Sequence, residues 1–206
     1  MTTSPAPAAP RTQAQRRAST RRRVLDATLA VLTEQGYAAT TTTAIAKRAG
    51  VSQGAIFKHF PTKADLLGSA IEDLFPRLTD EYRAAFADLD LGRDPMRAAI
   101  RMLWQVFQRP DVQASLELYI AARTDADLAA RLGEVERRHR SNVKATASAL
   151  LPELARIPLF DQTIDLVMDA LTGIVLHAVA IPGADDADAE VEVLATLCCG
   201  LAGTTN

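Results

Sequence analysis

A glycine flanked at fixed distances by small, capping and apolar residues constrains this chain more than any compositional total. The stretch Thr40 to Lys63 reads TTTTAIAKRAGVSQGAIFKHFPTK. At about 100° per residue, a helix over 42–49 turns Ile45 and Ala49 inward and Thr43 and Lys47 outward. A second helix over 53–60 turns Ile56 and Phe60 inward and Gly54 and Lys58 outward. Gly50 stands where the chain must leave the first helix, the usual left-handed position at which a Cβ is penalised. Ala46, four residues earlier, is small enough for two helices to cross closely. Ser52 can cap the second helix, whose first amides then face whatever the helix end touches; a phosphate is a natural partner there. Helix, glycine turn and helix within about 20 residues predict a helix-turn-helix.

The charge pattern agrees. Residues 1–70 carry ten Lys/Arg against three Asp/Glu, and residues 71–206 carry thirteen against twenty-two. A basic head on an acidic body suits a phosphate backbone whose counterions it can displace.

The rest of the chain predicts helices only. Aromatics are scarce at 5%, and no Asn-Gly or Asp-Gly pair separates alternating runs. Residues 1–19, rich in Pro, Ala, Thr and Arg, read as a disordered basic arm whose arginines either lie along DNA or are simply solvated. From Thr20, a plausible N-cap, Val24, Leu25, Thr28, Leu29, Val31 and Leu32 mark a first helix that stops at Gly36. Thr62 and Asp65 form a capping box before a long helix to about Leu89, in which Pro76 predicts a bend between head and body. Further helices are expected at about 94–108, 111–123, 126–151, 161–181 and 186–202. The fold expected is all-α: a helix-turn-helix DNA-binding domain at 20–66 and a helical-bundle domain at 67–206, to which the family resemblance given below assigns ligand binding and dimerisation.

Adjacent Cys198 and Cys199 cannot build a disulfide framework, which fits a reducing cytoplasm, and they read as small buried hydrophobes. The N-terminus has no apolar signal region. The apolar run Ala170 to Ile181 is too short for a bilayer, so no membrane is expected.

The residues Gly36 to Leu67, GYAATTTTAIAKRAGVSQGAIFKHFPTKADLL, resemble the DNA-binding head of the TetR family of bacterial transcriptional regulators. ELYIAARTDADLAARL, Glu117 to Leu132, resembles a segment common in actinobacterial members. The resemblance implies an all-helical homodimer, generally a repressor, whose body binds a small molecule and releases a double-stranded operator. It places Thr41 as N-cap and phosphate contact, Thr42 and Thr43 at the DNA-facing start of the same helix, and Gln53, Gly54, Ala55 and Lys58 on the recognition surface. Phe57, His59 and Lys63 match positions that usually touch the DNA backbone. Two residues depart from the pattern: Phe57 stands where Tyr is usual, losing a hydroxyl, and Ala44 replaces a frequent acidic residue. Lys58 and Gln53 can read base edges. Thr41, His59 and Lys63 suit phosphates, which position without specifying. Lys47 and Arg48 read as a solvated face.

A single head offers little surface, so two heads spaced about 34 Å are expected. The last two helices are the dimer candidates, since 170–181 is apolar nearly all round and Leu194, Leu197 and Leu201 lie opposite. For a small apolar or amphipathic effector, the middle helices supply Trp104, Phe107, Tyr119 and Met168, with Asn142 and His177 as orienting polar groups. His177 also reads as a bonded buried histidine, and Glu134/Arg138 and Glu136/Arg140 as ordinary helix-surface pairs.

The absence of catalytic and phosphate-binding motifs, and of Cys or His at metal spacing, argues against an enzyme, a cofactor or a metal. A helical protein whose basic head binds an acidic partner is the remaining rival, and the glycine-turn register weighs against it.

Overall fold

The computed structural model describes residues 12–88, 94–181, 183 and 186–203, with side chains as far as residue 200. Among these the chain forms α1 (Gln13–Ala39), α2 (Thr42–Ala49), α3 (Gln53–Phe57), α4 (Lys63–Ala87), α5 (Pro95–Phe107), α6 (Pro110–Ala122), α7 (Ala126–Leu150), a 3-10 turn at Leu154–Arg156, α8 (Phe160–Ala180) and α9 (Ala187–Gly203), with no strand.

The first helix starts earlier than expected. Thr12 accepts the N–H of Gln15 at 3.2 Å while Gln15 accepts that of Thr12 at 2.9 Å, a reciprocal cap. Residues 13–19 are therefore helical rather than part of a disordered arm, and Thr20 lies inside α1 instead of capping it. This extension is solvent-exposed nearly all round, so it has no apolar stripe to announce it; good helix formers and the cap carry it. Residues 1–11 of the expected arm lie outside the described residues, as do Leu89, Gly92, Pro182 and the side chain of Leu201.

Gly36, at φ 75°, ends the regular part of α1. Thr40 behind it is buried and donates its hydroxyl to the Gly36 carbonyl at 2.7 Å. The short α2 and α3 and the turn after them pack Ile45, Ala46, Ala49, Ile56 and Phe60 against Val24, Leu25 and Leu32 of α1 and Leu66 of α4. This core continues without a break into α6 and α7 through Val112, Leu118, Leu128, Leu132 and Val135. The head thus shares apolar packing with the body along α1 and α4.

α4 runs as one helix through Pro76, which cannot donate to the Glu72 carbonyl one turn earlier. At this turn the Glu72 carboxylate holds Arg131 and Arg138 of α7. The expected Glu134/Arg138 pair is absent: Arg131 takes Glu134 and Arg138 reaches across to Glu72. Gly68 leaves room for Arg131 to lie flat across α4, since a Cβ there would collide with the Arg131 stem.

A second core joins α5, α6, α8 and α9 through Ile100, Phe107, Leu116, Val167, Leu171 and Cys198. Cys198 is buried as expected, whereas the half-buried Cys199 places its thiol 3.0 Å from Asp94 Oδ1, and burial with this carboxylate pushes the thiol up to about 11. Taken whole, α8 is 21 residues with a mean hydropathy of 1.6 over its most apolar stretch, long and apolar enough to cross a bilayer by length and composition; the expectation from the shorter run 170–181 understated it. Its Asp165 and Asp169 are engaged by Arg140 of α7.

Candidate nucleic-acid interface and effector cavity

The turn between α2 and α3 is built as its residues dictate. Gly50 adopts φ 64° and ψ 41°, and nothing lies within 4 Å of where its Cβ would be, so the glycine is required by backbone conformation alone. Thr41 caps α2, its hydroxyl accepting the N–H of Ala44 at 3.1 Å, and Ser52 caps α3, accepting that of Ala55 at 3.2 Å. These caps set the two helix starts so that Thr41, Thr43, Gln53, Gly54, Phe57 and Lys58 are all exposed, with Thr42 and Ala55 half-buried beside them. Gln53 donates to Thr43 Oγ1 at 2.6 Å, which joins the starts of the two helices into one polar surface. Phe57, 45% exposed, is a large apolar group with no place in the core.

Beside this surface the structure brings basic residues that lie far apart in sequence. His59 sits near Arg17 and Arg21 of α1; partial burial and then the two guanidiniums depress its pKa. Arg21 lies 5.4 Å over the Phe60 ring. The ordered start of α1 thus adds Arg17 and Arg21 to the basic face, a role that a disordered arm would leave undefined. Lys63 is placed differently from a free phosphate-seeking lysine: its ammonium lies 4.6 Å over the Tyr37 ring, and desolvation lowers its pKa against the pull of Asp125. Lys47 and Arg48 lie on an exposed face, as expected, and Arg48 is in addition tied to Glu34 at 2.6 and 2.8 Å.

The body encloses a cavity of about 370 Å³ between α4, α5, α6, α7 and α8. Most of its wall is apolar, including Phe75, Tyr82, Phe86, Ile100, Phe107 and Met168. Of the predicted ligand residues, Phe107, Tyr119 and Met168 line it. Trp104 does not: it turns to the seam with α9, where its indole N–H donates to Asp188 at 2.7 Å. Asn142 is exposed, rotated off the cavity-facing stripe of α7. His177 is exposed rather than buried, about 200° around α8 from the buried Val175, and also lies outside the cavity.

The polar wall comes instead from Glu136, His139 and Arg140 of α7 and Asp169 of α8, with Tyr119 opposite. Tyr119 donates to Glu136 Oε2 at 2.7 Å, and Arg140 Nε donates to Glu136 Oε1 at 2.8 Å. His139 stacks on Phe75, with ring centroids 3.8 Å apart, and burial depresses its pKa to about 4, so its imidazole is neutral at pH 7. The sequence signal for this wall exists: Leu132, Glu136, His139, Val143, Thr146 and Leu150 recur at three- and four-residue spacing, placing polar groups within an otherwise apolar stripe. Glu136 and Arg140, read as a surface pair, belong to the cavity.

The outer faces of α8 and α9 expose Leu166, Val179, Val193 and Leu197, each more than half accessible. Leu194 instead packs inward against α5 and α8.

Residues 24–70 match the family model for bacterial regulatory proteins of the tetR family. An uncharacterised helix-turn-helix transcriptional regulator of Mycobacterium tuberculosis, Rv2912c, is 31% identical over 173 residues, covering 84% of this chain and 87% of that protein. The transcriptional repressor KstR of Mycobacterium tuberculosis is 34% identical over 123 residues, 57% of this chain and 53% of KstR. Among solved structures, the multidrug binding protein EbrR complexed with imidazole is 26% identical, superposes with a TM-score of 0.64, and is covered over 86% of this chain and 93% of EbrR. With a capped helix-turn-helix at one end, a hollow helical body at the other and relatives that regulate transcription over most of its length, the chain belongs to the TetR family of DNA-binding transcriptional regulators.

Proposed function

We propose that this regulator is a repressor that binds a palindromic operator as a homodimer and leaves it when a small apolar or amphipathic molecule enters the body cavity. The observation that carries the reading is the pairing, in one chain, of an exposed polar α2–α3 surface next to basic α1 residues with an apolar cavity bounded by the same helix, α4, that closes the head. On this reading Gln53 and Lys58 read base edges, while Thr41, Thr42, Thr43, Phe57, His59 and the backbone at Gly54 and Ala55 set the head on phosphates and groove walls. Arg17 and Arg21 extend the phosphate footprint; Lys63 reaches DNA only by leaving Tyr37. The repressor name of KstR supports the sign of regulation, and the complex of the multidrug binding protein EbrR with imidazole supports a small-molecule ligand. Such a role is exercised in the cytoplasm.

The exposed apolar residues of α8 and α9 supply the dimer surface. Ligand entry tilts α4 about the turn that contains Pro76, where one backbone hydrogen bond is missing, and changes the spacing of the two heads; Pro76→Ala should blunt ligand-induced release. The deciding experiment is a fluorescence anisotropy titration of the full chain on duplex DNA from upstream of its own gene. The expected result is binding that weakens steeply between about 50 and 200 mM salt. Salt-insensitive binding, or none, overturns the reading.

A further inference from the structure

The cavity's polar wall selects its ligand by charge, an inference that rests on the effector reading above and deepens it. Arg140 is the only cation among the described residues lining the cavity, and each of its three nitrogens already meets a carboxylate. Nε meets Glu136 at 2.8 Å, Nη1 meets Asp165 at 3.5 Å, and Nη2 meets Asp169. Lys144, one turn further along α7 and outside the cavity lining, is held by Asp165 Oδ2 at 2.6 Å. Three carboxylates thus surround two cations. Arg83, whose Nη2 donates to the cavity residue Thr146 at 3.0 Å, is itself committed to Asp80 at 2.9 Å. A carboxylate entering this site would have to displace one already present and leave it unpaired, which is costly at the edge of an apolar cavity.

A cation fares no better. Both oxygens of Glu136 are engaged, one by Tyr119 and one by Arg140, and Asp169, the other carboxylate lining the cavity, is held by Arg140. The charged groups of the wall are therefore paired with one another, the hydroxyls of Thr79, Tyr82, Ser115 and Thr172 donate to backbone carbonyls, and the ring that offers both a donor and an acceptor to a ligand is His139. Its ring stacks on Phe75, it lines the cavity, and among the described residues it makes no hydrogen bond. A neutral imidazole presents one donor and one acceptor, the complement of a hydroxyl or carbonyl.

We infer that the effector is an uncharged apolar molecule carrying a hydroxyl or carbonyl that hydrogen-bonds His139, and that carboxylates and ammonium compounds of the same shape are rejected. The test uses three matched probes at pH 7.5, namely 2-naphthol, 2-naphthoate and 2-naphthylmethylammonium, each titrated calorimetrically into the full chain without DNA. The expected result is 2-naphthol binding at least tenfold more tightly than either ion. His139→Phe, which keeps the stacking area but removes both nitrogens, should weaken 2-naphthol at least fivefold. Asp169→Asn, at an exposed position that frees one arm of Arg140, should strengthen 2-naphthoate. Either ion binding as tightly as 2-naphthol, 2-naphthol unaffected by His139→Phe, or no binding of any probe overturns the inference. DNA release is scored separately by anisotropy: selective 2-naphthol binding without release sinks the release reading and upholds the charge selection.

Discussion

The carboxylate of Glu117, in the middle of α6, accepts the backbone N–H of Tyr37 at 2.6 Å, joining positions 80 residues apart. Tyr37 follows the helix-breaking Gly36, so its amide is one that the helix itself does not satisfy. Next to Glu117 on α6, Leu116 and Tyr119 line the cavity. One side chain therefore connects a helix that lines the cavity to the segment that leads into α2. Glu117→Ala should cost about 1 kcal/mol, because the bond is charge-assisted but solvent-exposed, and lower the melting temperature by about 2–4 °C. It should also reduce the loss of DNA affinity that effector produces, read by anisotropy with and without ligand. Unchanged effector response would show that α6 transmits its motion through apolar packing alone.

The turn offers a test of backbone strain free of packing effects. Gly50 holds φ 64° with open space around its missing Cβ, so substitution there changes only backbone energetics. Gly50→Ala should destabilise the head by about 1–2 kcal/mol. Gly50→Asn should cost less, since Asn tolerates the left-handed region. Urea denaturation of the two variants checks the order; equal losses would point to a clash.

How far the sequence reveals this molecule depends on whether a residue's role is local. Gly50, Thr41, Ser52 and the Thr62/Asp65 box act within one turn of chain, and each is found where its spacing predicts. Helix existence was legible for the same reason, since apolar stripes and prolines repeat every few residues. The start of α1 was missed because its helix is polar all round. The cavity wall is a different matter. Trp104 and Phe107 are three residues apart, yet one faces Asp188 across the α5–α9 seam and the other faces the cavity. Which partner each meets is set by tertiary placement of α9, which no local pattern encodes. Glu136 and Arg140 form the expected pair four residues apart, but its burial comes from α6 and α8 closing over it.

The imidazole of His139 should make stability pH-dependent in a definite direction. Its folded pKa is about 4 against an unfolded value of 6.5, so between these values the unfolded chain binds more protons. The stabilisation is present above pH 6.5 and is lost as the pH falls toward 4. Relative to pH 7 the loss at pH 5 is about 2 kcal/mol for a difference of this size. His139→Phe removes this contribution while other groups titrate as before. The difference in unfolding free energy between wild type and variant should therefore shift toward the variant by that amount on going from pH 7 to pH 5. A constant difference would mean that the folded protein protonates His139 as freely as the unfolded chain.

The apolar faces of α8 and α9 can be tested at single side chains. Leu197 and Val193 are 64% and 60% exposed on α9, whereas Leu194 between them is buried in the protomer. Substitution at Leu197 should thus spare the fold but damage any partner surface, while substitution at Leu194 damages both. Leu197→Glu would place two like charges near the twofold axis and remove apolar area that contributes about 25 cal/mol per Å² on burial. The expected result in sedimentation equilibrium is a shift from dimer toward the 22.2 kDa protomer, with a melting transition that remains cooperative. Operator binding should fall in parallel, because one head alone makes half the phosphate contacts and its salt dependence should roughly halve. Arg137→Glu, a charge change at an exposed position of α7, is the control and should leave both mass and DNA binding unaltered. A Leu197→Glu protein that stays dimeric would move the interface away from α9.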